Sequence, residues 1–171
     1  MSFIGIISDN KTFENIKLNL LENIKNKKLN IININLKSIE NIKNIKFEII
    51  IIETNIEKFN NYMNTIQILC ENAKYIIINT DLNVDINLLQ NYNKNLITYG
   101  LNHKAIVTIS SITETDILIY LQKNIKDIEQ NIIEVQEKRL NKKENCNLKI
   151  YEILIIYIIT LIYKEEIKKE I

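Results

Sequence analysis

The residues that most often form turns and metal sites are scarce in this sequence. Its 171 residues include two glycines and no proline, so asparagine must form most of the tight turns. His103 is the only histidine, and the two cysteines, Cys70 and Cys146, lie far apart along the chain. A zinc site of the usual histidine–cysteine type is therefore excluded. We expect His103, in the polar segment LNHKA, to be a solvated loop residue and Cys70 to lie in the core.

An excess of charge of one sign is also absent. Lysine and arginine total 22, and aspartate and glutamate total 21, which leaves a net charge of +1. Proteins that bind nucleic acid usually carry a basic surplus or a basic patch, so we expect no nucleic-acid partner. Arg139 is the only arginine, which makes bidentate contacts to phosphate or carboxylate groups rare. The N-terminus has no secretory signal pattern, which predicts a cytoplasmic protein with reduced cysteines.

No hydrophobic run is long enough to span a membrane. The uncharged stretch of the last predicted helix, residues 153–163, has eleven residues and would extend about 16 Å. A hydrocarbon core about 30 Å thick needs roughly 20 residues, which predicts no transmembrane segment. A helix that is apolar on nearly all sides is expected to pack against a sheet. The alternatives are an interface with a partner or a second copy, and peripheral contact with a membrane.

The sequence does contain a regular alternation of apolar strands and amphipathic helices. In the first half, strands are predicted at 3–7, 29–36, 47–53 and 74–79, and helices at 12–25 and 55–72. In the second half, strands are predicted at 95–100 and 104–111, and the arms of an antiparallel hairpin at 116–122 and 131–140. A polar spacer at 141–147 leads to a final helix at about 148–169.

This order of elements predicts an α/β fold in a single domain, residues 1–171. Strands that alternate with helices form a mainly parallel, Rossmann-like sheet with flanking helices, which we assign to residues 1–94. Residues 95–171 are expected to add an antiparallel β extension and an apolar C-terminal helix. With 46% apolar and 25% charged residues, the chain has enough apolar side chains for one sizeable core.

The segment IGIISDNKTF, residues 4–13, resembles a phosphate-binding loop that lacks its glycines. In a working loop, glycines let backbone amides surround the phosphate oxygens, a lysine binds the outer phosphates and a hydroxyl binds magnesium. Lys11 and Thr12 are present here, but Asp9 places a negative charge where phosphate would lie. The alternative is an ordinary strand-to-helix connection in which Asp9 or Asn10 caps the helix.

Two parts of the sequence resemble the central ATP-binding domain of the Mur ligases, the amide-forming enzymes of peptidoglycan precursor synthesis. The segment IGIISDNKTFENIKLNLLENI is similar to the start of that domain. The resemblance implies nucleotide binding by Asn10, Lys11 and Thr12. The region from AKYIIINTD to ITYG is similar to the end of the domain, and the residues at matching places are Asn79, Asp81, Thr98, Tyr99 and Gly100.

The resemblance also implies a magnesium ligand. In the family a glutamate at the end of a central strand helps to hold the ion, and Glu53 in FEIIIIETN is at the comparable place. The alternative for Glu53 is a charge in solvent at the end of a strand.

Departures from the family pattern argue against ligase activity. The loop glycines, the family's Asn and Asp-His segment and its modified lysine have no counterpart, and we expect the flanking substrate and amino-acid domains to be absent. The resemblance therefore predicts a non-catalytic Mur-ligase-like binding or assembly module. It would be linked to cell-wall precursor metabolism by a protein partner, or by self-association through the C-terminal helix. One alternative is an ATP-binding protein that keeps Mg-ATP in the altered loop, and another is an interaction protein unrelated to nucleotides.

Overall fold

The fold is an eight-stranded sheet with helices on both faces. The computed structural model describes residues 2–55, 61–82, 95–142 and 148–167. A separate two-stranded antiparallel sheet is inserted between the last two strands of the large sheet. The predicted α/β class is confirmed, with its mainly parallel sheet, flanking helices, antiparallel extension and C-terminal helix.

The described elements follow one another in an order that alternates strand and helix through the first half. In chain order they are β1 (Ser2–Ile7), α1 (Asn10–Asn23), β2 (Leu29–Asn33), a 3-10 helix (Leu36–Ile42), β3 (Ile49–Ile52), α2 (Met63–Asn72), β4 (Tyr75–Asn79), β5 (Asn95–Tyr99), β6 (Val107–Ile112), β7 (Asp116–Leu121), β8 (Ile125–Lys126), β9 (Ile132–Ile133), β10 (Gln136–Asn141) and α3 (Ile150–Tyr163). The strand order in the large sheet is β10-β7-β6-β5-β4-β3-β1-β2. Strands β1 to β6 pair in parallel, and β7 pairs antiparallel with both β6 and β10.

The central strands are apolar on both faces because both faces are covered. All four residues of β3 and all five of β4 are buried. Since side chains alternate along a strand, Ile49 and Ile51 join one core with α1 and α3. Ile50 and Ile52 join a second core with the 3-10 helix and α2, which includes Cys70. This two-sided burial explains the unbroken apolar runs FEIIIIE and KYIIIN.

Helix α3 is buried along most of its length. Nine consecutive residues, 152–160, are buried, and the helix packs against α1 and the neighbouring strands β5 and β6. Of the three arrangements considered for this helix, packing within the chain is the one observed. None of the helices that the structure describes has the length and apolar character needed to cross a membrane.

Strand β2 ends earlier than predicted. It stops at Asn33 instead of residue 36, and a 3-10 helix begins at Leu36. The reason is local, because Asn35 Oδ1 accepts a hydrogen bond from the Lys37 backbone N–H at 2.9 Å and caps that helix. The 3-10 helix then places Ile39 in the second core.

The predicted hairpin arms do pair, but one arm is interrupted. β7 and β10 are antiparallel neighbours, whereas the segment 131–140 divides into β9 and β10. The division follows a turn in which Gln130 has φ 72°. The backbone amides of Glu129 and Asn131 both donate to Asp127 Oδ1 at 2.8 Å. This turn pairs β9 with β8 in the small sheet.

Three expectations lie outside the described residues. They concern residues 56–60 of the helix predicted at 55–72, residues 168–169 of the final helix predicted at about 148–169, and the part of the polar spacer at 143–147 that contains Cys146. The described part of the first of these helices is α2, which begins at Met63.

Candidate functional site

The strand order places a crevice at the carboxyl ends of β1 and β3. From β1 the chain moves to β2 on one side and then crosses to β3 on the other, so the loops after β1 and β3 diverge. In open parallel sheets such a point is the usual place for a ligand. The crevice has a volume of about 620 Å³. Its lining residues are 7–10, 33–37, 53–55 and 82.

The turn after β1 is closed by Asp9. Its Oδ1 accepts the Thr12 backbone N–H at 2.9 Å, and its Oδ2 accepts the Thr12 hydroxyl at 2.8 Å. Asp9 is therefore the N-cap of α1, the role that the alternative interpretation of this segment proposed. The hydrogen bond from the Thr12 backbone lowers the pKa of Asp9, and the nearby Lys149 ammonium lowers it further. The carboxylate is thus ionised at neutral pH.

The three residues predicted to bind nucleotide have different surroundings. Asn10 lines the crevice, and its Oδ1 accepts Asn33 Nδ2 at 3.0 Å. Lys11 is exposed, and Thr12 is only 4% exposed with its hydroxyl engaged by Asp9. In a phosphate loop the backbone amide of Thr12 would bind phosphate and its hydroxyl would bind magnesium. Here both groups donate to the Asp9 carboxylate instead. These residues do not form the cradle that Mg-ATP requires, and their assignment to a nucleotide stays a prediction.

Glu53 follows β3 and contacts two buried side chains from neighbouring strands. Asn79 Nδ2 donates to both carboxylate oxygens at 3.2 and 3.0 Å, and the Tyr99 hydroxyl donates to Oε2. Asn79 and Tyr99 are 0% exposed, whereas Glu53 is half-buried and lines the crevice. Burial raises the pKa of Glu53, and the two donors offset that effect only in part. Glu53 is the acceptor of a polar cluster instead of a freely solvated charge.

The segments NTD and ITYG, which contribute to the family resemblance, meet beside this cluster. Asp81 accepts hydrogen bonds from the Leu101 backbone N–H, Asn102 Nδ2 and the Tyr151 hydroxyl. Burial opposes ionisation of Asp81, but the donors outweigh it and lower its pKa. A Cβ added at Gly100 would lie 2.9 Å from the Asp81 carboxyl atoms, so a residue without a side chain is needed for this approach.

The start of α3 contributes residues that sequence reasoning did not find. Glu152 is fully buried, and it accepts the Lys149 backbone N–H at 2.9 Å and Asn15 Nδ2 at 3.2 Å. The first bond caps the start of α3, and the bond from Asn15 ties α3 to α1. Glu152 raises the pKa of Glu53 and Lys149 lowers it, so both act on the site through their charges. The available signal was a glutamate three residues after the helix cap, in KIYE.

The described residues contain no recognisable metal centre. No group of three histidine, cysteine, aspartate or glutamate side chains among them is arranged to hold an ion, and Glu53 as a magnesium ligand stays a prediction. Cys70 is buried as expected, and burial raises the pKa of its thiol to about 12, which leaves it unreactive at neutral pH. His103 is exposed in the turn after β5, also as expected.

Comparison with models of known protein families finds no match for this chain, and comparison with curated proteins finds none either. The resemblance to the Mur ligases therefore stays a prediction that rests on the segments quoted above.

Proposed function

We propose that this chain is a non-catalytic, Mur-ligase-like binding module that holds a small ligand in the crevice at the carboxyl ends of β1 and β3. The position of the crevice at the point where the strand order reverses supports a binding role. The proposed link to cell-wall precursor metabolism, and to a protein partner within it, rests on the sequence resemblance. Ligase chemistry would need ATP, metal, a bound carboxylate and a positioned amine together.

The observation that carries the proposal is the pair of hydrogen bonds between Asp9 and Thr12. A phosphate at the start of α1 would gain roughly 0.3–1 kcal/mol from the helix dipole. It would also lie close to the ionised Asp9 carboxylate, and two like charges 4 Å apart repel by about 4 kcal/mol near a protein surface. Displacing Asp9 from the cap would cost about 1 kcal/mol more. The repulsion exceeds the attraction, which supports a ligand other than a phosphate at this helix.

The direct test is calorimetric titration of the purified chain with Mg-ATP. We expect no saturable heat from the wild type at millimolar nucleotide. Lys11→Ala should behave identically, and Lys25→Ala, which removes an exposed lysine just beyond the other end of α1, is the matched control. Binding that is abolished by Lys11→Ala and kept by Lys25→Ala would overturn the proposal.

A second candidate is an ATP-binding protein that retains an altered phosphate loop. The observation that favours it is that Asn10 and Glu53 line the same crevice, with Lys37 at its margin. In that case Lys11, Thr12 and the start of α1 would hold the phosphates, and Glu53 would hold the magnesium ion. The same titration separates the candidates, because this one requires Mg-ATP to bind.

A further inference from the structure

The two edges of the large sheet differ in the charges that they carry. β10 forms one edge, and its sequence QEKRLN contains the consecutive charged residues Glu137, Lys138 and Arg139. Charges on an edge strand are a common protection against pairing with another chain. β2 forms the other edge, and its sequence LNIIN contains no charge and pairs with β1 without a bulge. The β2 edge therefore lacks the protection that the β10 edge has.

The outer side of β2 carries backbone groups that can extend the sheet. The Ile34 backbone N–H donates to the Ile6 carbonyl at 2.8 Å, so alternate residues from Ile34 back along β2 bond to β1. The residues between them, such as Ile31 and Asn33, direct their N–H and C=O groups away from β1. No other strand among the described residues pairs with β2. Solvent reaches this strand, because residues 30–33 are half-buried whereas β3 and β4 are buried throughout.

Helix α1 provides an apolar wall beside this edge. Asn15 donates to Glu152 of α3, and Asn19 follows Asn15 one turn later on the same side of α1. Leu21 is two residues beyond Asn19, about 200° around the helix axis, and so lies on the side away from α3. Because α3 packs over β5 and β6, that side is the one nearer to the β2 edge. Leu21 is 48% exposed, and Ile31 packs against the core that α1 covers.

Positive charge is concentrated at the start of β2. Lys27 and Lys28 directly precede the strand, and both are exposed. Neither forms a salt bridge within the described part of the chain, and Lys27 Nζ lies 5.0 Å from the centre of the Tyr163 ring. These charges favour a partner with carboxylates at this end. A second copy does not offer them, because antiparallel pairing about Ile31 would set Lys28 opposite Ile34 of the second copy.

We propose that the β2 edge binds an extended segment of a protein partner, which adds an antiparallel strand to the sheet. The segment is uncharged and rich in β-branched residues over five positions, the length of β2, and acidic residues follow it. Antiparallel pairing is more stable per residue than parallel pairing, and it brings those acidic residues to Lys27 and Lys28. The inference rests on the proposed function only for the existence of a protein partner, since the segment lies along the strand and not in the crevice.

The test uses the peptide acetyl-VTVTVEE-amide, titrated into the wild-type chain at about 0.15 M salt, which screens diffuse attraction. Binding is followed by two-dimensional NMR, and the backbone amides of Ile31 and Asn33 should shift. Proline in place of the central valine removes a peptide N–H and should weaken binding roughly tenfold. Two lysines in place of the two glutamates should also weaken it roughly tenfold, since each of two charge pairs contributes about threefold.

Two pairs of variants then locate the binding. Ile31→Pro removes the outward N–H, a change that an edge strand tolerates, whereas Ile31→Ala truncates the side chain and keeps that N–H. Binding should be roughly tenfold weaker in Ile31→Pro than in Ile31→Ala. Lys28→Gln should weaken binding about threefold, and Lys104→Gln, at an exposed position after β5, should have no effect. Circular dichroism shows whether each variant is folded, and the comparison of the three peptides needs no variant at all.

The outcomes separate this inference from the proposed function. Equal binding of the three peptides, or equal effects of Lys28→Gln and Lys104→Gln, overturns the inference and leaves a ligand in the crevice standing. Absence of binding by acetyl-VTVTVEE-amide does the same. A shift of the Ile31 amide as the chain is concentrated without peptide would make the occupant a second copy, which also overturns the inference. Saturable binding of Mg-ATP overturns the proposed function and leaves binding at the β2 edge standing.

Discussion

At the scale of the single residue, Glu53 depends on three strands at once. Its donors Asn79 and Tyr99 are 26 and 46 residues away in sequence. They meet because adjacent parallel strands end at the same edge of the sheet. Burial opposes the ionised form of Glu53 while the two donors stabilise it, and burial is the stronger effect on its pKa.

The wild type is expected to lose stability as the pH rises, because Glu53 becomes ionised, and Glu53→Gln should remove this loss. The pKa of Glu53 is raised above its ordinary value of 4.5, so the folded state holds this proton more tightly than the unfolded chain. The resulting stabilisation is fully present below the unfolded-state pKa and is lost as the pH rises through the raised folded-state pKa. Urea unfolding from about pH 4 to pH 7 should show the wild type losing stability relative to Glu53→Gln.

The matched control for this prediction is Glu137→Gln, on an exposed part of β10. The difference in unfolding free energy between Glu137→Gln and the wild type should vary less with pH than the difference between Glu53→Gln and the wild type. If the difference in unfolding free energy between Glu53→Gln and the wild type did not change with pH, or if the wild type gained stability relative to Glu53→Gln as the pH rose, a raised pKa at Glu53 would be contradicted.

Gly100→Ala should destabilise the chain by about 1–3 kcal/mol, as overpacking generally does. The added methyl group would meet the Asp81 carboxyl atoms at 2.9 Å. Asp81 cannot move away without weakening its bonds from Leu101 and Tyr151. In an Asp81→Ala background the same glycine substitution should cost less when both are measured by urea unfolding. An equal cost in the two backgrounds would rule out the steric explanation.

At the scale of the element, the start of α1 depends on Asp9. Asp9→Ala should lower the free energy of unfolding by about 1 kcal/mol, whereas Asp9→Asn should cost only a few tenths. Because the pKa of Asp9 is lowered from 3.8, its contribution is present above that value and is lost as the pH falls through the folded-state pKa. The deficit of Asp9→Ala in urea unfolding should therefore shrink in acid. Equal costs for the two variants would show that the cap does not stabilise the helix.

The elements that the sequence predicts best are those with strong apolar periodicity. β3 and β4 are found where FEIIIIE and KYIIIN indicate them, because strands covered on both faces need unbroken apolar runs. The end of β2 and the insertion of β8 and β9 are not predicted. Both depend on single polar residues, Asn35 at a helix cap and Asp127 at a turn, in a chain where asparagine and aspartate are common.

The site is less predictable than the elements because it depends on the order of the strands. Asn79 and Tyr99 can be singled out as motif residues, but only the adjacency of β3, β4 and β5 brings them to Glu53. The contribution of α3 to the site is even harder to predict from the sequence. Lys149 and Glu152 act on Glu53 from about 100 residues away in sequence, and the apolar pattern of α3 does not indicate which strands it crosses.

At the scale of the whole molecule, one core joins the two halves of the chain. β4 and β5, on either side of residue 94, pair over their full length. α1 packs against α3, and the hydrogen bond from Asn15 Nδ2 to the Glu152 carboxylate links the two helices. With 152–160 buried inside the chain, the less buried apolar residues of α3 are Ile150, Tyr151 and Leu161. The surface that this helix offers to a second copy is correspondingly small.

Ile158→Ala tests whether α3 acts within a single chain. Ile158 is 0% exposed in the larger core, so the substitution should lower the free energy of unfolding by about 2–5 kcal/mol. Leu161→Ala, at a half-buried position of the same helix, is the control and should cost less. Both are measured by urea unfolding at two protein concentrations that differ by about a hundredfold; in a dimer held together through α3, the unfolding midpoint rises with concentration. A midpoint independent of concentration is expected here, because the residues that would form such an interface already fill the core of their own chain.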